Sequence, residues 1–145
     1  MIDKFFIEYR FLSNFWPCEI EYEGITYPSV EHAYQASKTN YQLYKYKIAR
    51  HLTASQAKHL GSRINIKPEH EHQKVDIMKT LLLSKFSYPD LQQKLLDTGN
   101  ELIMEGNTWH DNFWGSCTCD KCGNKGKNIL GKLLMEVRKN CGNQI

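Results

Sequence analysis

The segment YPSVEHAYQASK, residues 27–38, marks a change from strand-like to helical patterning in this chain of 145 residues. Ser29 follows a proline, and a serine hydroxyl is a preferred acceptor for the free backbone N–H groups at the start of a helix. Small and apolar residues occupy one side of the predicted helix, while Glu31, Gln35 and Lys38 share the other side. The segment therefore predicts a helix whose polar face carries a carboxylate, an amide and an amine.

The sequence that precedes this helix has β character. Residues 5–29 are rich in aromatic and β-branched side chains, which favour strands. Within them EIEYEGITY, residues 19–27, alternates polar and apolar positions around Gly24. This pattern predicts a β-hairpin.

The sequence after residue 38 has mainly helical periodicity. We predict helices over 42–51, 69–86 and 91–96, the last with a stop at Gly99. A further helix begins at a Thr53 cap and runs through Leu60, with Gly61 as its C′ residue. The last helix begins at an Asn128 N-cap. The helix over 69–86 would bury Val75, Met78, Leu82 and Phe86. ELIMEG, residues 101–106, predicts a buried strand.

Composition indicates a soluble protein of ordinary domain length. Hydrophobic residues make up 41% and charged residues 24% of the chain, and no apolar run reaches the roughly 18 residues that span a bilayer. The start MIDKFFIEYR lacks the apolar region of a secretion signal, so we expect a cytoplasmic protein without membrane contact. The net charge of +3 comes from scattered lysines. It is compatible with an anionic ligand and equally with a solvated lysine-rich face.

Glu31 and Lys38 are the first candidates for chemistry. They are seven positions apart in the sequence, which is about 10 Å along a helix axis and too far for an ordinary i,i+4 ion pair. With Gln35 between them, the three polar groups could converge on one ligand. Glu31 lies in the first turn, where the helix dipole favours a charged carboxylate, and such a group suits the positive charge that develops at a sugar C1. The alternative is a solvated helix face with a favourable first-turn glutamate, and spacing alone favours it.

The loop WHDNFWG, residues 109–115, is the second candidate. Its two indoles could stack on a flat base, and Asp111 could orient a water molecule or bind ribose hydroxyls. The alternative is that Trp109 and Trp114 fill the core while Asp111 caps a turn.

GNKGKN, residues 123–128, offers glycines, lysines and a helix start, which are the components of a phosphate site. It lacks the spacing of a P-loop, and a glycine-rich turn that leads into the Asn128 cap explains it equally well.

The five cysteines give no disulfide framework, since their number is odd and three of them lie in CTCDKC, residues 117–122. Zinc bound by Cys117, Cys119 and Cys122 would need a fourth ligand, for which His110 and Cys141 are the nearest candidates in sequence. We favour reduced thiols in a polar loop over structural zinc, and no base can be assigned to a nucleophilic cysteine. The histidines form no catalytic metal signature, so no cofactor is expected.

Five motifs occur in a distinctive order: FLSNF at 11–15, YPSVEHAYQASK at 27–38, AKHLG at 57–61, WHDNFWG at 109–115 and GKNILGKLLMEVR at 126–138. Together they resemble the NADAR family, also called the YbiA-like family, over nearly the whole chain. The resemblance implies a compact, mostly helical α+β fold with a small N-terminal β-hairpin region, forming one domain over 1–145. It also implies an N-glycosidase. The family's substrate classes are early phosphorylated intermediates of riboflavin synthesis and ADP-ribose attached to guanine bases.

The resemblance also implies roles for particular residues. Glu31, Lys38 and Asp111 would be catalytic, with Lys38 either neutralising charge or attacking the opened ribose aldehyde as a Schiff base. Substrate would be bound by Arg10, Ser13, Asn14, His32, Gln35, Trp109, Trp114, Lys127 and Asn128. The cysteine segment between Gly115 and Gly126 departs from the family pattern, so it puts the aim of Asp111 in doubt.

The expected partner is an ADP-ribosylated guanine nucleotide or nucleic acid, or a small phosphorylated pyrimidine substrate. Two other functions compete with this hypothesis. One is a non-catalytic module that binds ADP-ribose or a nucleotide, which would not need Glu31 and Lys38 on one face. The other is a zinc-stabilised protein that binds nucleic acid through its lysines and CTCDKC.

Overall fold

The computed structural model describes residues 1–143, and its backbone contacts divide the chain into two compact units. The central unit is Asn14–Lys85. The terminal unit combines Met1–Ser13 with the chain from Phe86 onward. The mostly helical α+β class that the sequence predicts is confirmed by the elements of both units. No helix in the described residues is long and apolar enough to cross a membrane.

The central unit begins with the predicted β-hairpin. Strand β1 (Ile20–Tyr22) pairs antiparallel with β2 (Ile25–Tyr27). Glu23 and Gly24 join the strands with φ values of 50° and 83°, which is the left-handed geometry that a two-residue hairpin turn of the right twist requires.

Four helices complete the central unit: α1 (Val30–Ala36), α2 (Gln42–His51), α3 (Ala54–Gly61) and α4 (His70–Lys85). Helix α1 packs against the other three and against the hairpin, so all seven of its residues are buried. The predicted caps are confirmed, because the Ser29 hydroxyl accepts from the His32 backbone N–H and Thr53 forms a capping box with Gln56.

Two local predictions in the central unit are wrong. Gly61 is the last residue of α3 rather than its C′ residue, and Ser62 caps the helix in a right-handed conformation. Glycine at this position leaves room for the Gln35 amide, which lies where a β-carbon would be. Val75 is 36% exposed, because α4 turns that position outward while Met78 and Leu82 are buried.

The terminal unit contains a 3₁₀ helix (Ile7–Leu12), α5 (Pro89–Leu96), β3 (Gly106–Asn107), β4 (Ser116–Cys117) and α6 (Ile129–Gly142). Strands β3 and β4 are parallel. The strand predicted over 101–106 is reduced to a bridge between Ile2 and buried Ile103, and Leu102 is exposed. Pairing with the short N-terminal segment extends no further than this bridge.

Asn128 stands at the N-cap position of α6, but its side chain does not cap the helix. Its Nδ2 donates to the Ile103 carbonyl at 2.9 Å, and its Oδ1 accepts from the Glu105 backbone N–H at 2.9 Å. The backbone of Asn128 is left-handed, with φ of 52°. The predicted side-chain cap is therefore replaced by a bridge to residues 103–105.

Candidate active site

Glu31 is buried within the central unit, with 7% of its surface exposed. Its backbone N–H donates to the Asn14 carbonyl at 3.0 Å, and its Oε1 accepts from Gln35 Nε2 at 2.8 Å. The solvated helix face, which was the alternative on spacing alone, is therefore not what the fold produces. The fold instead holds a carboxylate in a fixed direction inside the unit.

Two buried amide oxygens belong to the neighbours of this carboxylate. Gln35 Oε1 and Asn14 Oδ1 have no hydrogen-bond partner among the described residues. The Asn14 amide nitrogen donates a long hydrogen bond, of 3.6 Å, to the Met78 sulfur. An unsatisfied buried acceptor costs about 1–3 kcal/mol, so such atoms call for an explanation, and a ligand donor is one.

Lys38 lies just beyond the C-terminal end of α1. Burial lowers the pKa of its ammonium group; Glu31 opposes this shift, while Lys58 and Lys74 reinforce it. The Lys38 nitrogen lies 5.4 Å from the centre of the Tyr34 ring, within cation–π range. The fold therefore gives Lys38 a weakened preference for the charged form.

His70 lies in an environment of positive charge that the sequence did not predict. Burial, and after it Lys38, Lys67 and Lys74, lower the pKa of His70 to about 4. Its Nε2 lies 3.0 Å from the Ser37 hydroxyl. These lysines are widely spaced in the sequence, and no local pattern marks them as neighbours. Several positive charges acting on one buried region suit an anionic ligand.

His32 has both ring nitrogens engaged by the protein. Its Nε2 donates to the Leu52 carbonyl at 2.9 Å, and its Nδ1 lies 2.6 Å from the Ser29 hydroxyl. These bonds fix the start of α1 to the end of α2. The predicted contact of His32 with substrate stays a prediction, and the bonds support a positioning role.

Asp111 and its loop belong to the terminal unit. Asp111 Oδ1 accepts from the backbone N–H groups of Phe113, at 3.2 Å, and Trp114, at 3.0 Å. Asn107 holds the loop from inside, since its Nδ2 donates to the Asp111 carbonyl at 2.9 Å. This is the turn cap of the alternative interpretation. Catalysis by Asp111 stays a prediction.

The two loop tryptophans differ in exposure. Trp109 is 55% exposed, so it does not fill the core. Trp114 is half-buried, and its ring meets that of Phe113 edge-on at 4.8 Å between centroids. More than half of the Trp109 surface is therefore accessible, and stacking on a base stays a prediction.

The remaining predicted binding residues also lie in the terminal unit, except Asn14. Arg10 is exposed in the 3₁₀ helix, and Ser13 caps that helix through its backbone N–H. Lys127 is exposed, with its nitrogen 5.8 Å from the centre of the Phe113 ring. Asn128 is committed to the bridge described above. The central unit therefore contains Asn14, Glu31, His32, Gln35 and Lys38. The other predicted site residues lie in the terminal unit.

A separate cluster in the terminal unit brings His110 to the cysteine segment. One ligand atom from each of His110, Cys117, Cys119 and Cys122 lies within 4.8 Å of all the others. Of the two candidates for a fourth ligand, His110 is in the cluster, whereas Cys141 is buried in α6. These four side chains could hold a metal ion.

Comparison with known proteins decides the family. The sequence model of the NADAR domain matches residues 4–141. The chain belongs to the NADAR family. The predicted resemblance is therefore confirmed, and the motif set of residues 11–138 falls inside the matched range.

NADAR relatives include proteins named N-glycosidases. The chain is 35% identical to N-glycosidase YbiA of Escherichia coli K12, covering 91% of this chain and 81% of that protein. It is 36% identical to N-glycosidase Npun_R5314 of Nostoc punctiforme, covering 93% and 87%. The riboflavin biosynthesis protein VVA0006 of Vibrio vulnificus is 35% identical over 89% of this chain, which spans only 35% of that longer protein.

The NADAR fold is also supported by a solved structure. The NMR structure of the E. coli protein YbiA superposes with a TM-score of 0.80 at 30% sequence identity. The match covers 99% of this chain and 88% of that one.

Proposed function

We propose that this NADAR protein is an N-glycosidase that hydrolyses the bond between a ribose C1 and a nitrogen in a phosphorylated, nucleotide-like substrate. The observation that carries the proposal is the buried Glu31 carboxylate, which the Gln35 amide holds at 2.8 Å. A fixed carboxylate in a water-poor setting stabilises an oxocarbenium-like transition state more strongly than one in bulk water. The relatives named N-glycosidases support the same reaction class.

The proposed reaction is a simple hydrolysis. The C1–N bond breaks with its electron pair leaving on nitrogen, and positive charge develops at C1 beside Glu31. A water molecule then adds its oxygen to C1. One proton of that water remains on the new hydroxyl, and the other balances the departing nitrogen. Asp111 is the predicted group to orient this water.

Charge in the central unit supports a phosphorylated substrate. The pKa shifts of Lys38 and His70 record lysines that act on the same buried region: Lys38, Lys58, Lys67 and Lys74. Lysine ammonium groups are common phosphate partners. Phosphate binding by Lys127 and the backbone of GNKGKN stays a prediction from the sequence.

Within this class we propose that the substrate is ADP-ribose attached to guanine. We also propose that the protein acts in the cytoplasm. Its diphosphate distributes negative charge over two linked phosphate groups, which suits a field made by several spaced lysines. The exposed indole of Trp109 would stack on a base that remains part of an oligonucleotide. A phosphorylated pyrimidine intermediate of riboflavin synthesis is the second candidate, because the relative VVA0006 is named for that pathway.

An assay with two substrates tests the proposal. The wild-type protein is incubated with an oligonucleotide that carries ADP-ribosylated guanine and, in parallel, with a phosphorylated riboflavin intermediate. We expect free ADP-ribose and an intact guanine oligonucleotide, detected by mass spectrometry. Cleavage of only the pyrimidine would overturn the substrate but keep the N-glycosidase. Tight binding of ADP-ribose with neither substrate cleaved would favour the non-catalytic module.

The role of Lys38 can be read in the same assay. If the amine attacks the opened ribose aldehyde, borohydride reduction during turnover will leave a covalent ADP-ribosyl adduct on Lys38. An unmodified protein under turnover conditions assigns Lys38 to charge neutralisation.

Gly61→Ala should lower kcat/KM about tenfold, equivalent to about 1.4 kcal/mol. A β-carbon at Gly61 would lie 1.8 Å from Gln35 Oε1 and 2.7 Å from Gln35 Cδ, so the amide must rotate and release Glu31. Gly142→Ala is the matched control, since a β-carbon there meets only Leu96 at 4.0 Å in the same kind of helical setting. Steady-state kinetics of both variants test this prediction. An unchanged kcat/KM in Gly61→Ala would show that Gln35 does not position Glu31 for catalysis.

A further inference from the structure

The cysteine segment has a geometry that its sequence alone does not reveal. His110 Nδ1 lies 3.4 Å from Cys122 Sγ, 3.6 Å from Cys117 Sγ and 3.6 Å from Cys119 Sγ. A tetrahedral zinc ion with Zn–S of about 2.3 Å and Zn–N of about 2.0 Å separates its nitrogen and sulfur ligands by about 3.5 Å. All three distances match that value.

Hydrogen bonding does not account for this arrangement. A neutral imidazole nitrogen can take part in one strong hydrogen bond, as donor or as acceptor, but three sulfurs surround the same Nδ1. The five cysteines are free thiols, so no disulfide draws the sulfurs together. His110 also adopts a left-handed backbone, with φ of 68°, which is uncommon for histidine. The loop is therefore shaped to aim one nitrogen at three sulfurs.

The backbone around the cluster holds the sulfurs in place. Cys117 is buried in β4, and its N–H donates to Asn112 Oδ1 at 2.8 Å. The Cys122 N–H donates to Cys119 Sγ at 3.4 Å and fixes the position of that sulfur. The Asn124 N–H donates to the Cys117 carbonyl at 3.0 Å and closes the loop.

We propose that His110, Cys117, Cys119 and Cys122 bind one zinc ion. Three thiolates and one imidazole form a ligand set that favours zinc among the common divalent metals. Four protein ligands leave no open coordination position, so the ion is structural and not catalytic.

The ion would fix the loop that carries Asp111. His110 directly precedes Asp111, and the ion ties it to β4 and to the turn at 119–122. The loop between them contains Trp114, and Asn112 bonds to Cys117. A bound zinc therefore restricts the backbone on both sides of Asp111. A catalytic importance of the position of Asp111 rests on the proposed function. The metal site itself does not depend on that function.

Metal content tests the site directly. The full chain is purified without chelators under reducing conditions and its zinc is measured by mass spectrometry, beside His110→Ala and Cys119→Ser. The matched controls are His72→Ala, an exposed histidine of α4, and Cys18→Ser, a thiol of the central unit. We expect one zinc per chain in the wild type and both controls, and loss of most of it in the two ligand variants. A folded wild type that stays metal-free after reconstitution with zinc overturns the proposal.

Cobalt substitution provides a second readout that does not depend on activity. Co²⁺ in the wild type should give the intense visible d–d bands of a tetrahedral site together with a thiolate charge-transfer band. Octahedral spectra, or spectra unchanged by Cys119→Ser, would contradict the assignment. Removal of the metal should also speed amide hydrogen exchange over residues 107–124. Zinc binding without glycosidase activity would support the metal site and reject the proposed function. Glycosidase activity in a wild-type protein that does not bind zinc would support the proposed function and reject the metal site.

Discussion

Glu31→Gln is expected to lower kcat for cleavage of the ribosyl–nitrogen bond by at least about a thousandfold, a loss of about 4 kcal/mol of transition-state stabilisation. The substitution removes the negative charge that opposes the developing cation at C1. It keeps the size of the side chain, and its amide oxygen can still accept the hydrogen bond from Gln35 Nε2. Steady-state kinetics with the cleaved substrate measure the effect, and urea unfolding verifies the fold.

The matched control for this prediction is Glu21→Gln. Glu21 is an exposed carboxylate of β1, so its replacement should leave both kcat and stability unchanged. A Glu31→Gln protein that is folded and retains kcat within a few fold would reject Glu31 as the cation-stabilising group. A variant with normal kcat and raised KM would instead give Glu31 a role in ground-state binding.

Lys85→Met should raise the free energy of unfolding near neutral pH by about 2 kcal/mol. Lys85 is fully buried in the last turn of α4, and burial lowers its pKa from 10.5 to about 7, with Cys18 opposing that shift. The folded state therefore binds fewer protons than the unfolded state between about pH 7 and about pH 10.5. Methionine has a similar shape and no charge to desolvate.

The sign of the pH dependence distinguishes this cause from a general packing effect. Wild-type stability should rise with pH from about 7 towards 10.5. In this range the folded state has lost the Lys85 proton while the unfolded state still binds it, so a higher pH disfavours the unfolded state. The advantage of Lys85→Met should therefore shrink by about 2 kcal/mol between acidic and alkaline conditions, from about pH 6 to about pH 9. Urea unfolding at both pH values measures it, with exposed Lys47→Met as the control. An advantage that is independent of pH would contradict a buried, neutralised lysine.

Local features of this protein are determined by the sequence. Ser29 and Thr53 begin helices because a hydroxyl reaches backbone N–H groups only two or three residues away. Gly24 closes the hairpin because its left-handed backbone conformation has no steric cost in glycine. Helix α2 has the predicted bounds of 42–51. The ordered motifs also identify the NADAR family, because they span nearly the whole chain.

Burial was decided by the tertiary structure. Helical spacing placed Glu31, Gln35 and Lys38 on one face, but spacing cannot distinguish a solvated face from one covered on several sides. Helix α1 is covered by three helices and a hairpin, which converts an ordinary first-turn glutamate into a buried carboxylate. The same packing places the Gln35 amide where a β-carbon at position 61 would lie, whereas the sequence indicated only a helix end there.

Convergence of distant side chains was likewise outside the reach of local patterns. Three lysines that are distant in sequence act on His70. Three sulfurs surround His110 Nδ1, and the hydrogen bond from the Cys117 N–H to Asn112 Oδ1 helps to hold that segment. Periodicity and capping operate over a few residues along the chain. Charge interactions and metal coordination depend on distances through space, and only the packed fold sets those distances.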